Sequence, residues 1–302
     1  MNNKRRLFST LLCVAALTAG LFVSGCGSDK AGGIGSVVSS VVDGGSDEKV
    51  AAKLNTLIDA TNRFNGDNAT WGQNYADSLA KLKGGFQEGA IGRQPHYDTL
   101  KDALEKSKKE GSTFKEVDTE RDNVLNILNE LVPTFKDLKA YDDSKAYMND
   151  GGAKGKELAA KYVAQVEKFD AAYAKFNDAL NKVNTEQTKK QIEKLKKDGK
   201  KGYAAAMEST LRLTTLVENV EKAPKNADKQ AVEKELNEIQ TLLKSINNDR
   251  GEVLVNSYNS VVGSVRQVLT DANENNLNDM IENFNNYIES YNNTTPDQFD
   301  SK

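Results

Sequence analysis

Apolar residues recur at helical spacing through most of the chain from residue 46 onward. Ser46 can cap a first helix that has Asp47 and Glu48 in its first turn, and this helix is predicted to end near Asn65-Gly66. Its apolar residues fall on one helical face: Val50, Leu54, Leu57, Ile58 and Phe64.

The same periodicity predicts three further helices in the first half of the chain, at 70–83, 96–109 and 117–141. Gly84-Gly85 ends the first of these. Pro133 lies inside the third. Because proline lacks an N–H and clashes with the preceding turn, we expect the helix to kink or break there.

The longest predicted helix, 156–197, has apolar positions that alternate steps of four and three, and the sequence leaves open a break near Asn184-Thr185. A helix of about 40 residues would be about 60 Å long, so we expect an elongated body. Four more helices are predicted at 203–222, 229–247, 252–272 and 277–292.

The pattern therefore predicts an all-α fold, in which an elongated multi-helix bundle at 46–293 precedes a polar tail at 294–302. The tail is expected to fray. An Asp- and Gly-rich stretch at 142–155 is the best candidate for an internal boundary, although one continuous bundle is favoured over two domains.

The chain begins like a secreted bacterial lipoprotein. Lys4, Arg5 and Arg6 precede an apolar run at 7–23, and Val23-Ser24-Gly25-Cys26 closes it. We expect residues 1–25 to be removed as a signal peptide and Cys26 to carry diacylglycerol and a further acyl chain such as palmitate. The alternative is a lone cysteine inside a transmembrane helix, but no second apolar run of spanning length is present.

A Gly/Ser-rich linker at 26–45 follows the predicted lipid anchor. The 19 residues from Gly27 to Gly45 would average about 25 Å in reach as a flexible chain. The Ser-Val-Val repeats at 36–38 and 40–42 leave open an edge strand or docking on the domain. Since Gly27 follows the cysteine, we expect the outer membrane if the host has one, and otherwise the cell membrane.

Composition excludes several classes of site. Removal of 1–25 takes away three basic and no acidic residues, which leaves 38 basic and 44 acidic residues and a net charge of about −6. This balance argues against nucleic acid as a partner. Cys13 lies in the removed segment, so disulfides and thiolate sites are absent from the domain, and His96 is the only histidine. We assign no catalytic residue, metal or cofactor. The alternative is an envelope enzyme that is built on carboxylates or depends on a metal with oxygen ligands.

The chain's rarest side chains gather around a glycine-rich stretch at 84–93. No Gly-Lys-Ser/Thr closes this stretch and no strand precedes it, so a flexible loop is favoured over a phosphate site. Binding residues concentrate on loops, which makes this region the first candidate for a small ligand. The candidate ligand-binding residues are Trp71, Arg93, His96 and Tyr97.

A run of lysines lies at the end of the longest predicted helix, and five of them are candidates for contact with an anionic surface: Lys189, Lys190, Lys194, Lys196 and Lys197. Cations at this position oppose the negative helix terminus, so solvated charges are the simpler interpretation. The alternative is contact with anionic lipid headgroups or envelope polymers.

An aromatic residue followed by asparagine recurs in five helical segments: Phe64-Asn65, Phe176-Asn177, Tyr258-Asn259, Phe284-Asn285 and Tyr291-Asn292. Such pairs can bury a ring while the amide bonds a neighbouring helix, or they can line a groove for a glycan or peptide. From about residue 53 to 292 this pattern resembles the YiiG-like bacterial lipoproteins of unknown function. The resemblance implies a helical envelope lipoprotein and carries over no catalytic residue.

The sequence thus favours a lipid-anchored envelope protein that acts as a non-catalytic binding or structural module. Its membrane contact would be the N-terminal lipid. Its other partner would be an envelope polymer, a small ligand or a helix of another protein, including a second copy of itself.

Overall fold

The computed structural model describes residues 45–69, 72–92, 94–111 and 114–301. These residues form eleven helices and no strand, which confirms the predicted all-α fold. In chain order the helices are α1 (Gly45–Ala69), α2 (Gly72–Lys83), α3 (Tyr97–Lys109), α4 (Lys115–Asp143), α5 (Tyr147–Asp150), α6 (Ala153–Lys197), α7 (Lys201–Lys222), α8 (Lys229–Lys244), α9 (Asp249–Thr270), α10 (Glu274–Asn292) and α11 (Pro296–Asp300).

The described residues divide into two compact units. Unit 1 comprises residues 56–183, and unit 2 comprises residues 45–55 and 184–301. Helices α1 and α6 therefore contribute residues to both units. The division falls within α6, and the Asp- and Gly-rich stretch at 142–155 lies inside unit 1.

Unit 1 has an aromatic centre formed by three of its helices. Phe64 of α1, Tyr97 of α3 and both Phe169 and Tyr173 of α6 bring their rings together. The ring centroids of Tyr97 and Phe169 are 5.0 Å apart in an edge-to-face arrangement. Such pairs contribute about 0.5–1.5 kcal/mol beyond the area that they bury. The apolar positions that were predicted from the alternating steps of four and three along the longest helix therefore form the face that α6 packs against this core.

Unit 2 has a core built mainly from α7, α8, α9 and α10. Helix α9 packs along α10, and α7 contacts α8, α9, α10 and α11. Asp228, Asn248 and Asn273 cap the starts of α8, α9 and α10 by accepting backbone N–H bonds. These three caps define where the last long helices begin.

Three helices continue through positions at which the sequence predicted or allowed an end. Helix α1 runs past Asn65-Gly66, since Asn65 faces the core and accepts a bond from Tyr173 instead of ending the helix. Helix α4 does not break at Pro133, because the residues flanking this exposed proline are buried, including Val132 and Leu138. Helix α6 continues through Asn184-Thr185, and its apolar face extends to Ile192 and Leu195.

The prediction of a frayed C-terminal tail is wrong. Residues Pro296–Asp300 form α11, and Phe299 is buried against the rings of Tyr203 and Tyr291. Thr295 and Gln298 form a capping box at the start of the helix. A single aromatic residue within a polar stretch shows no periodicity from which a helix could be predicted. The free energy gained by burying its ring is nevertheless enough to order a short segment.

The Asn248 amide and the Asp300 carboxylate hold this segment from two sides. Asn248 Nδ2 donates to the carbonyls of Gln298, Phe299 and Ser301 at 3.0–3.1 Å. The Asp300 carboxylate accepts the N–H groups of Gly202 and Tyr203 at the start of α7. A Cβ at position 202 would lie 2.1 Å from the Phe299 carbonyl oxygen, so only glycine fits there. We call residues 294–301 the C-terminal clamp.

Candidate functional site

Two of the four candidate ligand-binding residues, His96 and Tyr97, lie in the described part of the chain. Trp71 and Arg93 lie outside the described residues, as does the lipidation residue Cys26. His96 is exposed at the start of α3, where its side chain makes no capping bond. Its neighbour Tyr97 is buried in the aromatic centre of unit 1. Of this adjacent pair, only His96 is open to a ligand.

A shallow pocket lies beside His96 in unit 1. Its volume is about 40 Å³, and Arg63, Phe64 and Leu100 contribute to its lining together with His96. Ligand sites for small organic molecules usually measure about 300–1,000 Å³. This pocket has room for a water-sized group, so it can receive the end of a side chain or a small ion but not a whole organic ligand.

The glycine-rich stretch beside these residues is held against α2, which differs from the flexible loop favoured by the sequence. The Ser78 hydroxyl donates to the Ala90 carbonyl at 2.7 Å and accepts the Gly92 N–H at 2.9 Å. Gln94 donates to the Gly92 carbonyl and accepts a bond from the Tyr162 hydroxyl of α6. Ser78 was not singled out in the sequence, since a lone serine inside a helix carries no pattern.

A buried polar cluster lies next to this loop and contains Tyr75, Tyr97, Tyr162 and Asp170. The hydroxyls of Tyr75 and Tyr97 are 2.8 Å apart. Burial raises the pKa of Asp170 to about 7, the nearby Lys83 ammonium opposes that rise, and the charge of Glu167 adds to it. Burial also raises the pKa values of the three tyrosines, and the charge of Asp170 contributes to each rise. The cluster therefore holds a carboxyl that exchanges its proton near neutral pH.

A second carboxyl in unit 1 also has a raised pKa. Burial raises the pKa of Asp59 on α1 to about 6, while Arg63 one turn later lowers it. Within the described residues no three His, Cys, Asp or Glu side chains are arranged to hold a metal ion. The raised pKa values of Asp59 and Asp170 thus belong to carboxyls that are not part of such a group of potential metal ligands.

The aromatic–asparagine pairs divide according to the unit in which they lie. All five rings are buried. In unit 1, Asn65 and Asn177 are buried as well, and Asn65 accepts a bond of 2.9 Å from the Tyr173 hydroxyl. In unit 2, Asn259 and Asn285 are exposed. The amides of unit 1 thus serve helix packing, whereas those two amides of unit 2 face solvent.

The lysine run at the end of α6 is exposed, but its members differ. Lys196 bridges Glu193 and Glu208 at 3.2 and 2.8 Å, which turns it toward α7, and Lys194 is half-buried. Lys189, Lys190 and Lys197 are exposed, as is Lys201 at the start of α7. We call these four residues, Lys189, Lys190, Lys197 and Lys201, the lysine surface. None of the four forms an ion pair with another described residue.

Two residues that organise unit 2 were missed in the sequence. Asn248 was taken only as punctuation between helices, although an Asn directly before a helical pattern is an N-cap signal. Its side chain also holds the C-terminal clamp. The capping role of Asp300 could not be predicted from its neighbours, because the N–H groups that it caps at the start of α7 lie about a hundred residues earlier in the chain.

The eleven helices of the described residues, with their tyrosine-rich packing, define an all-α protein. Residues 48–293 match the model of a protein family of unknown function, DUF3829. The chain belongs to this uncharacterised family. No curated protein and no solved structure matches it. None of the described helices is both long enough and apolar enough to cross a membrane.

Proposed function

We propose that this chain is a lipid-anchored protein of a bacterial envelope, and that its helical body acts as a non-catalytic interaction module. The observation that carries the proposal is Cys26 at the end of the basic and apolar N-terminal stretch, after Val23-Ser24-Gly25. A single acyl chain gives marginal binding, whereas the two or three chains of a lipoprotein anchor it stably.

The anchor would place the body outside the cytoplasmic membrane. Gly27 after the cysteine favours the outer membrane where one exists and the cell membrane otherwise. The resemblance to YiiG-like lipoproteins supports the same location. The match to a family of unknown function is compatible with the resemblance to YiiG-like lipoproteins and indicates no activity.

Three hydrogen bonds between buried side chains of different helices support an interaction role over catalysis. The buried tyrosine hydroxyls bond other helices: Tyr97 bonds Tyr75, Tyr173 bonds Asn65, and Tyr287 bonds Thr210 at 3.1 Å. Groups that are satisfied by one another hold helices in register and are not free to bind a substrate. We therefore propose that partners contact the outer faces of the helices and that the interior keeps those faces in place.

Metabolic labelling with a radioactive fatty acid tests the anchor. We expect the wild-type chain to incorporate palmitate and its mature form to begin at Cys26. A Cys26→Ser variant should lose the label and keep residues 1–25. Cys13→Ser is the matched control, because it removes the chain's other cysteine and should leave labelling intact. Equal labelling of wild type and Cys26→Ser would contradict the proposal.

Light scattering and thermal unfolding of the mature, detergent-solubilised protein distinguish the kinds of interaction. A monomer that one class of sugar, peptide or polymer stabilises would be a binding module, because a ligand that binds the folded state raises its stability. A stable oligomer that no ligand affects would have a structural role. Metal-dependent turnover of an envelope substrate would overturn the non-catalytic assignment.

A further inference from the structure

Positive charge in unit 2 is concentrated in one short stretch. Residues 189–201 contain seven lysines and two acidic residues. Residues 251–301, which form most of α9, α10 and the C-terminal clamp, contain one arginine and eight acidic residues. The α6–α7 junction is therefore the cationic part of a unit whose last helices are acidic.

The lysine surface is fixed in its orientation by the packing of α6. Gln191, Ile192 and Leu195 are buried on the opposite face of the same helical turns. Turning Lys189 or Lys190 inward would expose the apolar side chains of Ile192 and Leu195 and bury an ammonium group, and both changes are unfavourable. Lys189, Lys190 and Lys197 consequently point away from the core together.

The turn that joins α6 to α7 is also held in place. Gly199 has a positive φ of 80°, and the Lys200 N–H bonds the Leu195 carbonyl at 3.0 Å. The Asp300 carboxylate of the C-terminal clamp caps the first N–H groups of α7, and Lys200 pairs with Asp297 at 3.3 Å. Lys201 is thereby kept at a defined position after Lys197.

The tether enters the molecule in the same unit. Residues 45–55, at the start of α1, belong to unit 2 together with the lysine surface. A lipid on Cys26 would connect to this unit through a linker that averages about 25 Å in reach, which is short enough for unit 2 to touch the headgroups of the same membrane. An anionic polymer has no comparable link to unit 2.

We propose that the lysine surface binds the headgroups of anionic phospholipids and turns this side of unit 2 toward the bilayer. The proposal rests on the lipid anchor proposed above. Binding is through charge alone, because the two large apolar side chains that are exposed in the described residues, Met148 and Val253, lie outside the stretch. It should therefore be reversed by salt.

Lysine footprinting of the mature lipidated protein on vesicles tests this. Vesicles contain phosphatidylcholine alone or a mixture with phosphatidylglycerol, and mass spectrometry follows the acylation rate of each lysine. We expect the four lysines to react at least about threefold more slowly on the anionic vesicles, an effect that high salt removes. Exposed lysines of unit 1, Lys136, Lys161, Lys168 and Lys175, should react equally on both.

A variant with all four surface lysines changed to Gln should lose the salt-sensitive component of binding to phosphatidylglycerol vesicles. The matched control changes Lys136, Lys161, Lys168 and Lys175 to Gln, which removes the same charge from unit 1, and should bind as wild type does. Equal loss in both variants would show a net-charge effect and would overturn the proposal.

The anchor and the lysine surface can fail separately. Equal protection on both kinds of vesicle, with the protein anchored to each, would overturn the lysine surface and leave the anchor standing. Protein that binds phosphatidylglycerol vesicles but not phosphatidylcholine vesicles would support the lysine surface and contradict the anchor. Stronger protection by soluble polyglutamate than by anionic vesicles would overturn lipid as the partner in favour of a polymer.

Discussion

Unit 1 and unit 2 place their charged and polar groups differently. Unit 1 buries the Asp170 carboxyl among three tyrosines, and burial raises its pKa. Unit 2 pairs charges near the surface, where Arg212 binds Glu235 and Arg266 binds Glu233. These bonds from the arginines lower the pKa values of both glutamates. One sequence with uniform helical periodicity thus yields carboxyls with opposite expected responses to acid, namely Asp170 in unit 1 and Glu233 and Glu235 in unit 2.

The largest expected effect concerns Asp170. Its folded-state pKa of about 7 lies above its ordinary value of 3.8, so its contribution to stability is complete below 3.8 and is lost as the pH rises through 7. The loss for unit 1 is expected to be about 4 kcal/mol over that range. Asp170→Asn, which resembles the neutral acid, should remove most of this pH dependence and stabilise unit 1 at pH 8.

Hydrogen exchange measured on peptides of each unit at several pH values would test this. The groups that face Asp170 are Lys83 of α2, Glu167 of its own helix and the hydroxyls of Tyr75, Tyr97 and Tyr162. The smaller dependence left in the variant should come from Asp59, with a pKa of about 6. Protection of unit 1 that is the same at pH 4 and pH 8 in the wild type would remove the contrast between the units.

The next effect concerns the C-terminal clamp and should be confined to unit 2. Asn248→Ala removes the α9 cap and three bonds to clamp carbonyls, which should cost about 3 kcal/mol. The C-terminal residues should then become sensitive to carboxypeptidase. Asn273→Ala is the control, because it removes the α10 cap and one exposed bond to Asp271 but no bond to the clamp, and it should cost about 1 kcal/mol. Equal losses in urea unfolding of the two variants would show that the clamp adds no stability.

The smallest effect concerns the surface ion pairs of unit 2. Arg212→Gln removes bonds to Glu235 at 2.7 Å and to Glu238 at 2.5 Å, and partly exposed pairs of this kind contribute about 1 kcal/mol. Because the pKa of Glu235 is lowered, this stability is present above its ordinary value of 4.5 and is lost as the pH falls.

The control for this variant is Lys234→Gln, whose ammonium is highly exposed and lies 3.9 Å from Glu238, and which should change stability little. Urea unfolding at pH 7 and pH 3 measures both. If the cost of Arg212→Gln were as large at pH 3 as at pH 7, the ion pair would not be its source.

The helices were predictable because their apolar faces repeat locally. The apolar residues spaced from Tyr162 to Val183 along α6 are buried. Their alternating steps of four and three residues are visible in the sequence without knowledge of any tertiary contact. Pro133 misled the prediction because local chemistry disfavours a helix there, whereas the burial of the flanking Val132 and Leu138 favours one. Long-range packing decided that position, and no local pattern records it.

The candidate sites were less predictable, because distant partners decide which side chains are open. Tyr97 was expected beside a ligand, yet the ring of Phe169 and the hydroxyl of Tyr75 enclose it. Lys196 was predicted to act with four other lysines, but its ammonium group forms an ion pair with Glu208 of the next helix. The composition of a stretch indicates which chemistry is present but not which members of it face solvent.

The C-terminal clamp has a practical consequence for anyone who handles this protein. A purification tag after Lys302 would start one residue beyond Ser301, whose carbonyl the Asn248 amide holds, and so close to the start of α7. A polyhistidine or acidic epitope there would alter the charge around Lys201, and the proposed removal of residues 1–25 would discard a tag on the other terminus. An affinity sequence inserted at the short helix α5, beside the exposed Met148, would leave the anchor, the clamp and the lysine surface as they are.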